Sequence, residues 1–488
     1  MQPKILGSLS LLRLRLAHSN YLRSKALPLK TTTLLPHAHP YSKMVSPLKR
    51  KAALTTSPKS KKAKVEIPEY HLAPSRRDSA GEIIWPAPLP QINRARDIIT
   101  ECAQSQLPTL ILPDKDADGL SSGAILHHTL TSLGLSPALI SVYFPPKGSS
   151  IFDNSTRATI TAVSPSYIFV LDQGSRKSPA FLGDAPHKCL TLIIDHHFAA
   201  EGGFPDGADY VTAHDCPPVA TSSLLTYHIC QPLYQSPDDK LSWLAALGTH
   251  GDLGTTLKWQ PPFPDMTSTF KTYSKKSINT AVALVNAPRR APAYNVSAAW
   301  DVVLAATSPD VINQSTDLER AAGEVRYETE RCTHTAPKFS ADASIAVLTI
   351  SSAAQVHPII ATRWAGHLKS DKLEIVMCAN EGYLEGMVNF SCRVARGTRA
   401  KEGEEKVDII RKLEGIVEGE GELRERLGDN FARGHREASG GIVKKEDWEE
   451  LKRLMGIGEN QRKKTEGGKK KESKPAQKNT LANYFVKA

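Results

Sequence analysis

Three short apolar runs, "TLILP" at 109–113, "YIFVLD" at 167–172 and "TLIID" at 191–195, each run into acidic residues at their carboxyl ends. A fourth run, "ALISVYF" at 138–144, is equally continuous. Strands buried on one face alternate apolar with polar residues, whereas strands covered on both faces read as unbroken apolar stretches, the mark of a parallel sheet. Between the runs lie helix-length segments such as "SSGAILHHTLTSLG" at 121–134. Strand followed by helix, repeated, predicts a doubly wound α/β domain over 69–258. Residues 259–340, opened by Pro261, Pro262 and Pro264, read as a helical connector. A second, smaller α/β unit across a cleft is expected over 341–457, with strands in "ASIAVLTI", "LEIVMCAN" and "EGMVNFSCRV".

In an open parallel sheet, ligands bind outside the carboxyl ends of the strands. The pattern therefore predicts that Asp114, Asp116, Asp118, Asp172, Asp195, His196 and His197 converge there, with Asp252 delivered from "LAALGTHGDLG" as a helix runs into a loop. One aspartate at a strand end can simply cap the next helix. Four segments doing so together need cations to offset their repulsion, and oxygen with one or two nitrogen donors suits Mn²⁺ or Mg²⁺ rather than a thiolate-preferring metal. Gly119 is expected to let the chain turn tightly into the helix that follows.

The charge distribution limits other readings. The chain has 488 residues and a net charge of +11, but residues 1–65 hold 14 Lys/Arg and no Asp/Glu, and 458–488 hold 9 against 3, leaving 66–457 at −9. A generally basic nucleic-acid surface is therefore excluded for the middle; a polyanion there requires a local groove, metal ions or the tails. The seven cysteines are scattered, odd in number and never spaced CxxC, which argues for a reducing compartment without a disulfide framework. No stretch is long and apolar enough to span a membrane. The Leu/Ser/Arg-rich first 30 residues suit a mitochondrial presequence, and the basic clusters at 49–51 and 59–64 resemble a bipartite nuclear localisation signal. Translation from Met44 predicts a nuclear protein, and a start at Met1 a mitochondrial form. Both ends, 1–68 and 458–488, have the composition of disordered basic tails.

"DKDADG", "LDQG", "DHH" and "GTHGD", in that order, resemble the four signature motifs of the DHH phosphoesterase superfamily, in the form of its RecJ-like nuclease branch. "NFSCR" and "ARGHREASGG" resemble the serine-x-arginine segment and glycine–histidine loop of the DHH-associated C-terminal domain, so the resemblance covers roughly 95–455. Related branches place a metal-binding histidine where this chain has Leu112, with Asp114 standing nearby as an extra acid. Carried over by position, Asp116 and Asp172 would hold one ion, and Asp118, Asp172, His196 and Asp252 a second, with Asp172 bridging and Asp114 a less certain ligand. The resemblance implies two Mn²⁺ (or Mg²⁺) ions, about 3.5–4 Å apart, that activate water and stabilise a phosphoryl displacement. His197 would stand beside the scissile phosphate as a catalytic group together with Asp172, while Asp195 orients the histidines. Ser391, Arg393, Gly434 and His435 would grip substrate phosphates, and Lys147 stands in for an arginine loop of the branch.

The final segment, "KNTLANYFVKA", resembles the PIP box that binds the sliding clamp, through Leu481, Tyr484 and Phe485. Together these features imply a metal-dependent RecJ-like nuclease hydrolysing phosphodiester bonds of single-stranded DNA or short oligonucleotides. The alternatives are a phosphatase for nucleotides, pyrophosphate or polyphosphate, or an inactive RecJ-like replication scaffold, which would have eroded metal ligands.

Overall fold

The computed structural model describes residues 73–183, 189–234, 240–399 and 406–458. All of them fall within one compact unit, Lys64–Ala488. The basic leader, the targeting signals and Leu481, Tyr484 and Phe485 therefore lie outside the described residues.

The chain opens with helix α1 (Leu89–Ser105), β1 (Thr109–Pro113), α2 (Ala117–Ser132), β2 (Ile140–Val142), α3 (Asn154–Val163), β3 (Tyr167–Leu171), β4 (Leu190–Asp195) and β5 (Asp209–Thr212). The five strands form one parallel sheet in the order β2-β1-β3-β4-β5. Strand order reverses between β1 and β3, the kind of switch point at which crossovers leave opposite faces of a sheet and open a crevice. Burial on both faces explains the unbroken apolar runs. Ile111, Phe169, Leu171, Leu192 and Ile194 enter the core on one side of the sheet, and Leu110, Leu112, Ile168, Val170 and Ile193 the core on the other.

Helices α4 (Ser222–Cys230) and α5 (Ser242–Leu253) follow, then α6 (Thr267–Tyr273), α7 (Lys275–Val285), α8 (Val296–Ala305), α9 (Pro309–Asn313) and α10 (Thr316–Thr333). The segment expected as connective is helical, but it also completes the first core. Ile278, Leu284, Val285, Val296, Trp300, Val303, Ile312 and Leu318 are buried in the same cluster as α2 and one face of the parallel sheet.

The remaining elements are β6 (Lys338–Phe339), β7 (Ile345–Ile350), α11 (His357–His367), β8 (Ile375–Asn380), β9 (Met387–Val394), α12 (Ile409–Ile416), α13 (Gly421–Leu427), β10 (Arg433–His435), β11 (Ala438–Lys444) and α14 (Lys445–Leu454). They build a second sheet, ordered β10-β11-β9-β8-β7-β6, in which only β7 and β8 run parallel. One face carries α12, α13 and α14, the last through Trp448, over Ile375, Met377 and Phe390; the other carries α11 over Val376, Cys378 and Leu348. The seven cysteines are free thiols, and no helix among the described residues is long and apolar enough to cross a membrane.

Candidate metal centre

Register alone lines up the first acids. Pro113 pairs with Leu171 and Leu171 with Ile194, and the parallel pairing runs one residue further, Asp114 N–H donating to Leu171 O and Asp172 N–H to Ile194 O, both at 2.9 Å. Asp114, Asp172 and Asp195 thus stand abreast at the carboxyl ends of β1, β3 and β4. Asp172 turns away from its strand with φ +60°, a left-handed conformation that aspartate tolerates better than most residues.

The next acids are placed by helices. Asp116 caps α2, its Oδ1 accepting from Asp118 N–H (3.0 Å) and Gly119 N–H (3.2 Å). Helix capping, the structural use open to any one of these acids, is thus realised at Asp116, whose second oxygen faces Arg289 Nη2 at 3.5 Å. Gly119 lies inside the first turn of α2 and is not the turn residue expected. Its missing Cβ is required because one would stand 2.5 Å from the Asp114 carbonyl oxygen. Asp118 is wholly buried and accepts from the first amides of α4, Ser222 N–H at 2.7 Å and Ser223 N–H at 3.0 Å, where a helix N-terminus favours negative charge. Ser222 Oγ donates to Asp172 Oδ1 at 2.9 Å. Asp252 is still helical, in the last turn of α5, rather than in a following loop.

The histidines have different surroundings. Asp195 Oδ1 accepts from the main-chain N–H of His196 (2.8 Å) and His197 (3.2 Å) and meets His197 Nδ1 at 2.8 Å, and its Oδ2 accepts from Ser175 N–H. This carboxylate fixes the ring of His197, with Nδ1 as donor and Nε2 turned away from the bond. His196 Nε2 lies 3.1 Å from Asp252 Oδ2 and 3.3 Å from Asp172 Oδ1, yet it is buried without an aligned hydrogen bond.

Three sets of side chains bring one donor atom each to within 4.8 Å of the others: Asp118, Asp172, His196 and Asp252; Asp114, Asp116 and Asp172; and Asp172, His196 and His197. The first is the set that position assigned to one ion, and the second joins Asp114 to the pair assigned to the other. Leu112, by contrast, is fully buried in the core. Carboxylates, two of them buried, and a buried imidazole nitrogen that converge within ion-pair distance are the donor chemistry of a divalent cation site.

The electrostatics agree. Burial, and then the Asp252 charge, push Asp118 up to about 6; burial and Asp118 raise Asp172 well above the usual carboxylate range; burial and Asp116 raise Asp114. Burial also opposes ionisation of Asp116 and Asp195, but Arg289 and the capping amides hold the first below its ordinary value, and the His197 bond holds the second down to about 2. Cations placed among these groups would reverse the field that makes their charges costly.

The chain is similar to known proteins over this same region. A family model described as the N-terminal domain of the DHH family matches residues 108–249. The chain carries a DHH-family N-terminal domain. No curated protein matches the sequence. Among solved structures it is similar to RecJ of Thermus thermophilus in complex with Mn²⁺, with TM-score 0.51 and 16% identity over 76% of this chain and 55% of that one. It is also similar to the DHH domain of a protein described as a member of a ribosomal-protein family, with TM-score 0.52 and 14% identity over 75% of this chain and 91% of that one. The fold is RecJ-like, and the chain spans about half the length of Thermus RecJ. The matched DHH range holds Asp114 to His197; Asp252 lies three residues beyond it, on the helix that the match ends in.

The residues expected to grip substrate lie elsewhere. Ser391 and Arg393 share one face of β9, where Arg393 Nη1 donates to Ser391 Oγ at 2.8 Å and Nε to Thr362 Oγ1 at 3.1 Å. Gly434 and His435 form β10 at the sheet edge, opposite Ser439 and Ala438. Lys147 donates to the Ala353 carbonyl at 2.7 Å and sits 4.1 Å over the Tyr383 ring, so its ammonium is committed to the second sheet's surroundings.

Two cations went unnoticed in the sequence. Arg289 links Asp116 to Asn286, donating to Asn286 Oδ1 at 3.1 Å, and that oxygen also accepts from Ala117 N–H. Arg290 is pulled down to about 10 by burial and by the charges of Arg289 and Arg393, and its carbonyl accepts from Gln355 N–H. The paired arginines between prolines in "NAPRRAPAY" were the available signal.

Proposed function

We propose that the protein is a metal-dependent phosphodiesterase that hydrolyses single-stranded DNA or short oligonucleotides. The observation that carries this reading is the convergence of Asp114, Asp116, Asp118, Asp172, His196 and Asp252 on shared points, with His196 Nε2 buried between the Asp172 and Asp252 carboxylates. Mn²⁺ or Mg²⁺ held by these residues would supply the Lewis acid and lower the pKa of an attacking water. Support for a nuclease comes from the RecJ-like fold; Thermus RecJ itself has been seen in complex with Mn²⁺.

The chain's own groups have separable tasks. Asp195 holds His197 by Nδ1, which leaves Nε2 to deliver a proton to the oxygen released when the phosphorus–oxygen bond breaks. Arg393, steadied by Ser391 and Thr362, offers the rest of its guanidinium to substrate phosphate. Arg289 offsets the charge of Asp116 and keeps it ionised. Gly434 and His435 complete the grip through the β10 edge. We further propose that Leu481, Tyr484 and Phe485 dock on the sliding clamp and that the form beginning at Met44 is nuclear; a Tyr484→Ala/Phe485→Ala variant that binds the clamp as tightly as the wild type would contradict the docking.

The test is incubation of the purified protein with Mn²⁺ and end-labelled single-stranded DNA, RNA or polyphosphate. Cleavage of an oligonucleotide is expected. Hydrolysis of polyphosphate alone would overturn the nuclease reading, and no hydrolysis of any of them would favour a scaffold.

A further inference from the structure

Phe198 follows His196 and His197 directly and is 69% exposed, on a loop whose other aromatic residue is partly buried. That loop has a second phenylalanine, Phe204, which packs against the core beneath the sheet and stacks on Tyr210 at 4.0 Å with the rings 8° from parallel. Phe198 instead stands at the loop's neck, one residue from the half-exposed ring of His197. It is not loosely placed. His214 meets it edge to face, with centroids 5.0 Å apart and planes at 72°. His214 is itself tied to the strand end that carries the metal centre: Ala213 N–H donates to Asp195 O at 3.1 Å, and His214 N–H to Thr212 Oγ1 at 3.2 Å.

A single exposed apolar side chain needs no explanation by itself. One held edge to face by a second ring, largely in water and next in the chain to His197, offers an apolar surface beside the group proposed to face the reacting phosphate. We propose that Phe198 is a stacking platform for the nucleobase of the nucleotide at the scissile phosphate, so that the preferred substrate is a base-bearing single strand rather than a polyphosphate. The inference rests on the phosphodiesterase reading. Stacking on an aromatic ring is tolerant of base identity, because every base has a π-face, and it requires a base whose face is free of duplex neighbours. Pyrophosphate and polyphosphate present no such surface.

Steady-state kinetics with Mn²⁺ test the proposal, using wild type, Phe198→Ala and Phe198→Tyr on two short DNA strands: one intact, and one abasic in the last three positions at both ends. Phe198→Ala is expected to raise KM for the intact strand about ten-fold with kcat little changed, in line with the usual worth of one base stacked on an aromatic ring. Phe198→Tyr should restore the wild-type KM, and the abasic strand should give the same KM with all three proteins. An unchanged KM for Phe198→Ala on the intact strand, or an equal rise on both strands, would overturn the stacking role. Wild type that cleaves neither strand would instead overturn the phosphodiesterase reading, a result separable from the first two.

Discussion

Asp172 belongs to all three candidate ligand groups, and the backbone bends it out of its strand to reach them. Asp195, one strand away, belongs to none of these groups and instead holds His197 Nδ1 at 2.8 Å. The two aspartates should therefore fail differently. Asp195→Asn keeps the shape but removes the charge that fixes the His197 ring; the expected loss is about 10–100-fold in kcat, with Mn²⁺ affinity reduced far less than by a ligand substitution. Measuring both constants checks this: an Asp195→Asn protein that loses metal before activity would place Asp195 among the ligands. The candidate ligands Asp114, Asp116, Asp118 and Asp172 were legible in the sequence because they follow closely on apolar strands, and Asp252 because it closes an apolar helix. Arg289 and Arg290 were not, because nothing in a Pro-flanked arginine pair says that the loop between α7 and α8 reaches back to Asp116.

At the scale of elements, the site depends on how closely α5 can approach α2 and α4. Gly248 lies in that interface, where a Cβ would stand 2.2 Å from Ser223 Oγ and 2.6 Å from Asp118 Oδ1. Gly248→Ala must push α5 outward and carry Asp252 with it. The expected cost is about 1–3 kcal/mol of stability, read as a lower thermal midpoint, together with weaker Mn²⁺ binding. An unchanged midpoint would show that the helices have room. The strands β1, β3 and β4 were readable because burial on two faces leaves an unbroken apolar signature. The short edge strand β5 (Asp209–Thr212), with Tyr210 exposed, carries no such signature. The helices after 259 were readable as helices, but their share in the first core was not, because an amphipathic face does not say which partner it meets.

Across the whole molecule, charge and pH are coupled through two histidines outside the candidate ligand groups, one buried and one half-buried. His357 is 4% exposed, and burial, with Arg393 and Arg290 nearby, pulls it down to about 3; burial and His128 pull His127 down to about 4. In the unfolded chain both return to roughly 6.5. Between the folded and unfolded values the unfolded state binds more protons, so stability rises with pH across this window and is lost as pH falls below about 6.5. The buried His357 should cost about 1.4 kcal/mol for every pH unit below that point until its folded value of about 3 is reached, and the part-exposed His127 less. Urea unfolding at pH 7 and pH 5 is expected to show a smaller pH dependence in His357→Leu than in wild type; equal dependence would contradict a neutral buried His357. The same molecule concentrates negative charge in the middle of the chain and positive charge at its ends, so on the phosphodiesterase reading a polyanion would meet the acidic middle through metal ions, a local groove or the tails. The most direct test is the number of Mn²⁺ ions retained after equilibrium dialysis by wild type and by Asp172→Ala. Two ions per wild-type chain, and neither held at comparable affinity by the variant, are predicted, since Asp172 is common to every ligand group; unchanged binding by Asp172→Ala would contradict the metal centre itself.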